Sequence, residues 1–176
     1  MINIRMKKGG KMKLISKSSM DIKTLFDTAQ TLIINAEGFS PTWYQDSMGN
    51  YTIGYGFKIG GMAHNLNIYK GKSMTIDEAD KILGGIITEI MVDLDARFPF
   101  FHNLPTNQGA VLIDMAYNLG LSQLIDFNTF LGYLKTDCID LAVADLTTTL
   151  WYNQVKNRAV RDCFNLFAQE GNLYLI

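Results

Sequence analysis

A helix gives way to a hairpin within the stretch AEGFSPTWYQDSMGNYTIGYG, residues 36–56. Before it, apolar side chains recur at spacings of three and four over residues 21–36, which predicts one amphipathic helix that ends at Glu37. Gly38 is a typical residue to stop that helix. After it, aromatic and β-branched residues flank a Gly49-Asn50 turn, as expected of two short antiparallel strands. The stretch therefore predicts a helix, a small sheet and a cleft between them.

Beyond this stretch, the sequence predicts a third short strand and then helices only. The Gly- and Asn-rich segment 57–72 suggests loops, with the strand in Asn67–Tyr69. Thr75-Ile76-Asp77-Glu78 matches a capping box, which opens a long helix towards Arg97. Further helices are predicted from Pro105 and Thr106 to Asn118-Leu119-Gly120, and at about 126–135, 139–149 and 158–169.

These elements predict an α+β fold, in which a small antiparallel sheet lobe and a mainly helical C-terminal lobe are joined by the long helix. The chain has 176 residues and 48% hydrophobic composition, which suits one globular domain over residues 19–176. We divide that domain into an N-terminal lobe with the hairpin, residues 19–72, and a helical lobe, residues 73–176. Cys138 and Cys163 fall at helical positions and are expected to be buried free thiols, with a disulfide as the alternative.

Charge is unevenly distributed along the chain. Residues 1–18 carry six basic side chains and no acidic one, which leaves ten basic and seventeen acidic side chains, a formal charge of −7, for the remainder. The basic segment is expected to be a flexible tail. It could hold the protein near acidic wall polymers or lipid surfaces, or it could reflect a later translation start, because Met6, Met12 and Met20 are also possible starts.

Two carboxyl groups flank the predicted cleft. Glu37 closes the helix and Asp46 opens the hairpin, with a proline-containing segment between them. Cleavage of a glycosidic bond needs one protonated carboxyl to protonate the leaving oxygen and one carboxylate to activate water or attack. A general acid must keep its proton, and burial against Phe39 or Trp43 would favour this. The alternatives are a solvated helix-end glutamate and an aspartate that stabilises the turn.

The pattern of Glu37, then Asp46, then Thr52 within YTIGYG resembles the catalytic signature of the tailed-phage lysozymes, the endolysin family known as glycoside hydrolase family 24. The resemblance extends to LPTNQGAVLIDMAYNLG, residues 104–120, and to WYNQVKNRAVR, residues 151–161. It covers most of residues 21–170. It implies that Glu37 is the general acid, that Asp46 activates water, and that Thr52 helps to hold that water. Otherwise Thr52 would be an ordinary strand residue.

The same resemblance suggests residues that contact the substrate. Arg158 lies where the family carries an arginine that clamps the catalytic glutamate, although a surface arginine is the alternative. Tyr117 and Asn118 resemble saccharide-binding residues of the cleft, or else serve packing and helix capping, and Tyr44 is a further candidate. The chain departs from the family at Phe57, where relatives often carry histidine, and at two positions that are polar in the best-known members, Phe130 and Asp145.

The implied activity is a lysozyme that hydrolyses the β-1,4 bond between N-acetylmuramic acid and N-acetylglucosamine in peptidoglycan, with inversion and without a cofactor. His64 and His102 are isolated, so no metal site is expected. We expect no nucleic-acid partner, no membrane span, no secretory signal and a monomer made in the host cytoplasm. Release to the wall would then require a separate holin-like protein. The alternatives are a lytic transglycosylase, and a virion-associated or non-catalytic wall-binding protein.

Overall fold

The computed structural model describes residues 21–45, 49–58, 66–169 and 172–175. The predicted basic tail, residues 1–18, and two of the singled-out residues, Asp46 and His64, lie outside this part of the chain. The described part contains one three-stranded antiparallel sheet and is otherwise mainly helical, which confirms the predicted α+β class. The strands are β1 (Ser40–Gln45), β2 (Tyr51–Gly54) and β3 (Phe57–Lys58). The α-helices are α1 (Ile22–Glu37), α2 (Ile76–Arg97), α3 (Thr106–Leu119), α4 (Leu121–Leu124), α5 (Asn128–Lys135), α6 (Ile139–Thr147), α7 (Leu150–Val155) and α8 (Asn157–Phe167).

Helix α1 begins and ends as the sequence predicts. The side chain of Asp21 caps its start by accepting a hydrogen bond from the backbone N–H of Lys23 at 3.1 Å. At its end, Gly38 adopts φ +65° and donates its N–H to the carbonyl of Ile34 at 3.0 Å. One face of the helix is fully buried, and Glu37 is its last residue. The buried face consists of Leu25, Ala29, Leu32 and Ile33.

The sheet has the order β1-β2-β3, and its first two strands form the predicted antiparallel hairpin. Tyr44 pairs with Thr52 in this hairpin. The third strand was predicted at Asn67–Tyr69, and that prediction is wrong, because these residues lie in a 3₁₀-helix, Leu66–Tyr69. Gly54 and Gly56 have φ of +65° and +79°, so the chain reverses directly after β2 and the next two residues pair back onto it.

Helix α2 opens with the predicted capping box. The hydroxyl of Thr75 accepts from the backbone N–H of Glu78 at 3.2 Å, and the carboxylate of Glu78 accepts from the backbone N–H of Thr75 at 2.8 Å. The helix ends at Arg97, as predicted, and contacts both α1 and α3. No helix within the described ranges is long and apolar enough to cross a membrane.

Helix α3 is the centre of the helical part. Every residue from Thr106 to Ala116 is buried, and the helix packs against α1, α2, α4 and α8. Helices α5, α6 and α8 correspond to the three shorter predicted helices, whereas α4 and α7 were not predicted. Both cysteines are free thiols, but only Cys163 is buried. The expected burial of Cys138 is wrong, because it lies exposed in the turn before α6, directly after Asp137 at φ +59°.

Candidate active site

Glu37 lies where the end of α1 meets the hairpin and α8. Its side chain is 23% exposed, so the carboxyl group is partly shielded yet open to solvent. One carboxylate oxygen, Oε1, accepts a hydrogen bond from Nη1 of Arg158 at 2.6 Å. These two residues are 121 positions apart in the chain. A carboxyl group held in this way has one fixed oxygen and one oxygen without that constraint.

The second oxygen of Glu37 faces the turn after β2. A Cβ atom built on Gly56 would lie only 2.9 Å from Oε2 of Glu37. Gly56 also has φ +79°, a conformation that side-chain-bearing residues rarely adopt. The glycine therefore allows the turn after β2 to approach the carboxyl group closely. Sequence reasoning used this residue only as part of the TIGYG motif and did not identify its contact with Glu37.

Arg158 is fixed by a residue that the sequence analysis did not single out, Asp114 of α3. Nε of Arg158 donates to Oδ2 of Asp114 at 2.8 Å, and Nη2 donates to Oδ1 at 2.9 Å. Nη2 also donates to the backbone carbonyl of Asp114 at 3.2 Å. Arg158 is 8% exposed, and burial alone would lower its pKa. The negative charges and hydrogen bonds of Asp114 and Glu37 outweigh burial and raise the pKa of Arg158.

A second buried arginine completes the cluster. Nη2 of Arg161 donates to Oδ2 of Asp114 at 2.7 Å and to Oδ1 of Asp162 at 2.8 Å, while Nη1 donates to the backbone carbonyl of Leu32 in α1 at 2.8 Å. Burial raises the pKa of Asp162 well above its usual value, and the charge of Asp114 adds to this effect. We name Glu37, Asp114, Arg158, Arg161 and Asp162 the buried charge cluster. Two features of the sequence could have indicated the cluster: Asp114 lies inside the apolar run AVLIDMA, and Arg158 and Arg161 are about one helical turn apart.

Thr52 is buried in β2, at 3% exposure. Its hydroxyl donates to the backbone carbonyl of Tyr44 on the opposite strand at 3.4 Å. Tyr44 pairs with Thr52, and Gln45, the last residue of β1, pairs with Tyr51. Because Asp46 lies outside the described residues, the proposed water-holding pair of Asp46 and Thr52 stays a prediction.

The candidate substrate contacts on α3 have protein partners. Oη of Tyr117 donates to the backbone carbonyl of Tyr55, in the turn after β2, at 2.6 Å. Burial raises the pKa of Tyr117, and the negative charge of Glu37 raises it further, so this hydroxyl remains a donor. Asn118 is exposed, and its Oδ1 accepts from Nε1 of Trp151 at 2.8 Å. Tyr44 is 41% exposed, so its ring is accessible to a ligand.

The described residues include no group of three or more His, Cys, Asp or Glu side chains that could hold a metal ion. Nδ1 of His102 lies 3.2 Å from Oδ1 of Asp95, and both side chains are exposed. This pair joins the end of α2 to the short 3₁₀-helix Phe101–Asn103.

In a comparison with known protein families, the family model described as phage lysozyme matches residues 34–162. The match includes the end of α1, the hairpin, all of α3 and the buried charge cluster.

Proposed function

The chain belongs to the phage lysozyme family, and on that premise we propose that it is a muramidase. The family implies a glycoside hydrolase that acts on peptidoglycan. The proposed bond is the β-1,4 linkage between N-acetylmuramic acid and N-acetylglucosamine. The observation that supports this choice is the environment of Glu37, whose partly shielded carboxyl group has one oxygen bonded to Arg158 and the other beside the turn after β2.

Glu37 is the proposed general acid, and its two oxygens have different roles. Guanidinium N–H groups can only donate, so Oε1 serves as an acceptor from Arg158. The transferable proton therefore belongs on Oε2, the oxygen that faces Gly56. A substrate in the cleft would receive this proton on its leaving glycosidic oxygen.

Asp46 and Thr52 are the proposed partners of this acid. Asp46 would act as general base on water, and Thr52 would hold the water on the opposite face of the sugar, as in the family pattern. This arrangement would invert the anomeric configuration and requires carboxyl groups roughly 6.5–9.5 Å apart. Support for it comes from the hairpin register, since Thr52 pairs with Tyr44 two residues before Asp46. Arg158, Tyr44, Tyr117 and Asn118 are the proposed contacts around the substrate.

The proposed biological role is lysis of a bacterial host. The protein would be made in the host cytoplasm, as a monomer with one lysozyme domain after its basic tail, and would reach peptidoglycan after a holin-like protein permeabilises the membrane. Wall polymers are rich in negative charge, so the six basic residues of 1–18 would favour encounter with them despite the acidic remainder of the chain.

The test measures soluble muropeptides released from purified peptidoglycan by the wild type, by Glu37→Gln and by Glu89→Gln. Glu89 is an exposed glutamate of α2 and serves as the matched control. We expect hydrated reducing ends by mass spectrometry from the wild type and the control, and none from Glu37→Gln. Anhydro ends would indicate a lytic transglycosylase, and a folded but inactive wild type would indicate a binding protein. An α-anomeric first product by NMR would support inversion.

A further inference from the structure

We propose that Asp114 is a positioning residue that aims Arg158 at Glu37 and offsets the positive charge of Arg158, and this proposal rests on the proposed function. The proposal addresses a conflict within the site. A cation bonded to a carboxyl group favours the ionised form of that group, whereas a general acid has to carry a proton. The contact between Arg158 and Glu37 is therefore useful for orientation but unfavourable for proton donation.

The orientation comes from the geometry of the guanidinium group. Asp114 engages Nε and Nη2 of Arg158 through its two carboxylate oxygens, at 2.8 and 2.9 Å. Two parallel hydrogen bonds fix the plane and rotation of the group. Nη1 is then the nitrogen that points to Glu37, at 2.6 Å. The side chain of Asp114 is fully buried in α3, so the anchor itself is fixed by packing.

The charge balance comes from the same carboxylate. Asp114 is the fully buried acidic partner of Arg158, so the positive charge near Glu37 is partly neutralised at the Nε and Nη2 edge of the guanidinium group. Asp162 is bonded to Arg161 and not, among the described contacts, to Arg158. Among the described residues, the titratable and charged groups on the elements around Glu37 are Asp114 and Tyr117 on α3, Arg158, Arg161 and Asp162 on α8, Tyr55 in the turn after β2, and Tyr44 on β1.

An asparagine could not replace Asp114 in this role. Oδ2 of Asp114 accepts from both Arg158 and Arg161, and Oδ1 accepts from Arg158. An amide has one acceptor oxygen, so its NH₂ group would face an arginine donor at either position. Asp114→Asn would therefore both remove a negative charge and misplace the guanidinium group of Arg158.

The experiment compares the wild type, Asp114→Asn and the control Asp93→Asn. Asp93 is an exposed aspartate of α2 outside the buried charge cluster, so it controls for the loss of a carboxyl group elsewhere in the protein. Three quantities are measured: kcat and KM on soluble glycan strands, the pH dependence of kcat, and the pH titration of a ¹³C-labelled Glu37 side chain.

For Asp114→Asn we expect kcat about 10-fold lower and KM within about twofold of the wild-type value. The substitution misplaces the catalytic acid Glu37 but leaves substrate binding intact. The alkaline limb of the kcat profile and the titration midpoint of Glu37 should both move to lower pH, because Arg158 would act on Glu37 without its compensating charge. Asp93→Asn should leave kcat and the Glu37 titration near the wild-type values. A folded Asp114→Asn with wild-type kcat and titration, or the same shift in Asp93→Asn, would overturn the proposal.

Two further measurements keep the test decisive. If Asp114→Asn does not fold, Asp114→Glu keeps the charge and lengthens the side chain. It should lower kcat while the alkaline limb stays in place, and wild-type kcat in this variant would refute the positioning role. If the wild type releases no muropeptides, the proposed function fails alone, because the titration of Glu37 still reports whether Asp114 controls its proton.

Discussion

The hairpin and the buried charge cluster border the same carboxyl group but are built in different ways. The hairpin, β1 and β2 with their turns, comes from one continuous stretch of chain and is held by local strand pairing. The buried charge cluster joins α1, α3 and α8. In it, Arg158 contacts Asp114 and Glu37, which lie 44 and 121 positions away in the chain. The hairpin can therefore form from local turn chemistry, whereas the cluster exists only once three helices have packed.

The difference also concerns the free energy of each region. Removing charges from water costs several kcal/mol per ion, which is recovered only by good geometry and full hydrogen bonding. Asp114 meets this condition, because it is bonded to both Arg158 and Arg161. Thus removal of Arg158, which joins Asp114 to Glu37, should affect activity and stability more than substitutions in the hairpin, and the following predictions test that ranking.

The largest effect is expected from Arg158→Ala. It removes the contact that orients Glu37, so kcat should fall roughly 100-fold in a folded variant. Stability should also fall, because Asp114 loses three hydrogen bonds and keeps its bond to Arg161. Muropeptide release and thermal unfolding measure the two effects. Arg97→Ala, at an exposed arginine of α2, is the control. Unchanged turnover in Arg158→Ala would refute the clamp.

A smaller effect is expected from Gly56→Ala, where the hairpin meets the cluster. The added methyl group would lie 2.9 Å from Oε2 of Glu37, and the backbone has φ +79°. We expect about 1–2 kcal/mol lower stability from strain and roughly 10-fold lower kcat from displacement of the acid. Gly71→Ala shares the strain, at φ +72°, but its added methyl group would meet no neighbouring atom within 4 Å. Equal losses of kcat in both variants would indicate that strain alone is responsible.

Tyr117→Phe tests the bond that connects the two regions. The hydroxyl of Tyr117 donates to the carbonyl of Tyr55, so its loss should lower the free energy of unfolding by about 1 kcal/mol. If the hydroxyl serves mainly as this bridge, KM should stay near the wild-type value. A raised KM with unchanged chemical denaturation would instead assign the hydroxyl to substrate binding. Tyr133→Phe, at a tyrosine of α5, is a control for loss of a phenol group.

The smallest effect at neutral pH is expected from Asp162→Asn. This substitution should instead change how the free energy of unfolding depends on pH. Burial raises the folded-state pKa of Asp162, so above about pH 4 the unfolded chain loses this proton while the folded protein keeps it. Fewer protons are then bound in the unfolded state, and this residue makes stability fall as pH rises. The variant lacks that contribution, so its free energy of unfolding should fall less between pH 4 and 7. Urea unfolding across this range provides the measurement, and parallel curves would contradict the assignment.

Sequence reasoning succeeded where the signal is local. The helix that ends at Glu37, the β1–β2 hairpin and the capping box at Thr75 follow from periodicity, turn residues and caps, and the structure confirms all three. The third strand was misplaced because Gly54 and Gly56 reverse the chain earlier than composition alone indicated. The short helices α4 and α7 were missed, since four and six residues carry too little periodicity to detect.

The sequence by itself determined the family pattern and the position of Glu37 at a helix end, because caps, turns and strand alternation depend on neighbours in the chain. Only the tertiary structure decided that Asp114 anchors Arg158, that Gly56 faces the free oxygen of Glu37, and that Tyr117 bonds to the hairpin turn. The physical reason is the long sequence separation of the residues in these contacts. The geometry of their hydrogen bonds and ion pairs depends on how α1, α3 and α8 pack, and that packing follows from the whole apolar core.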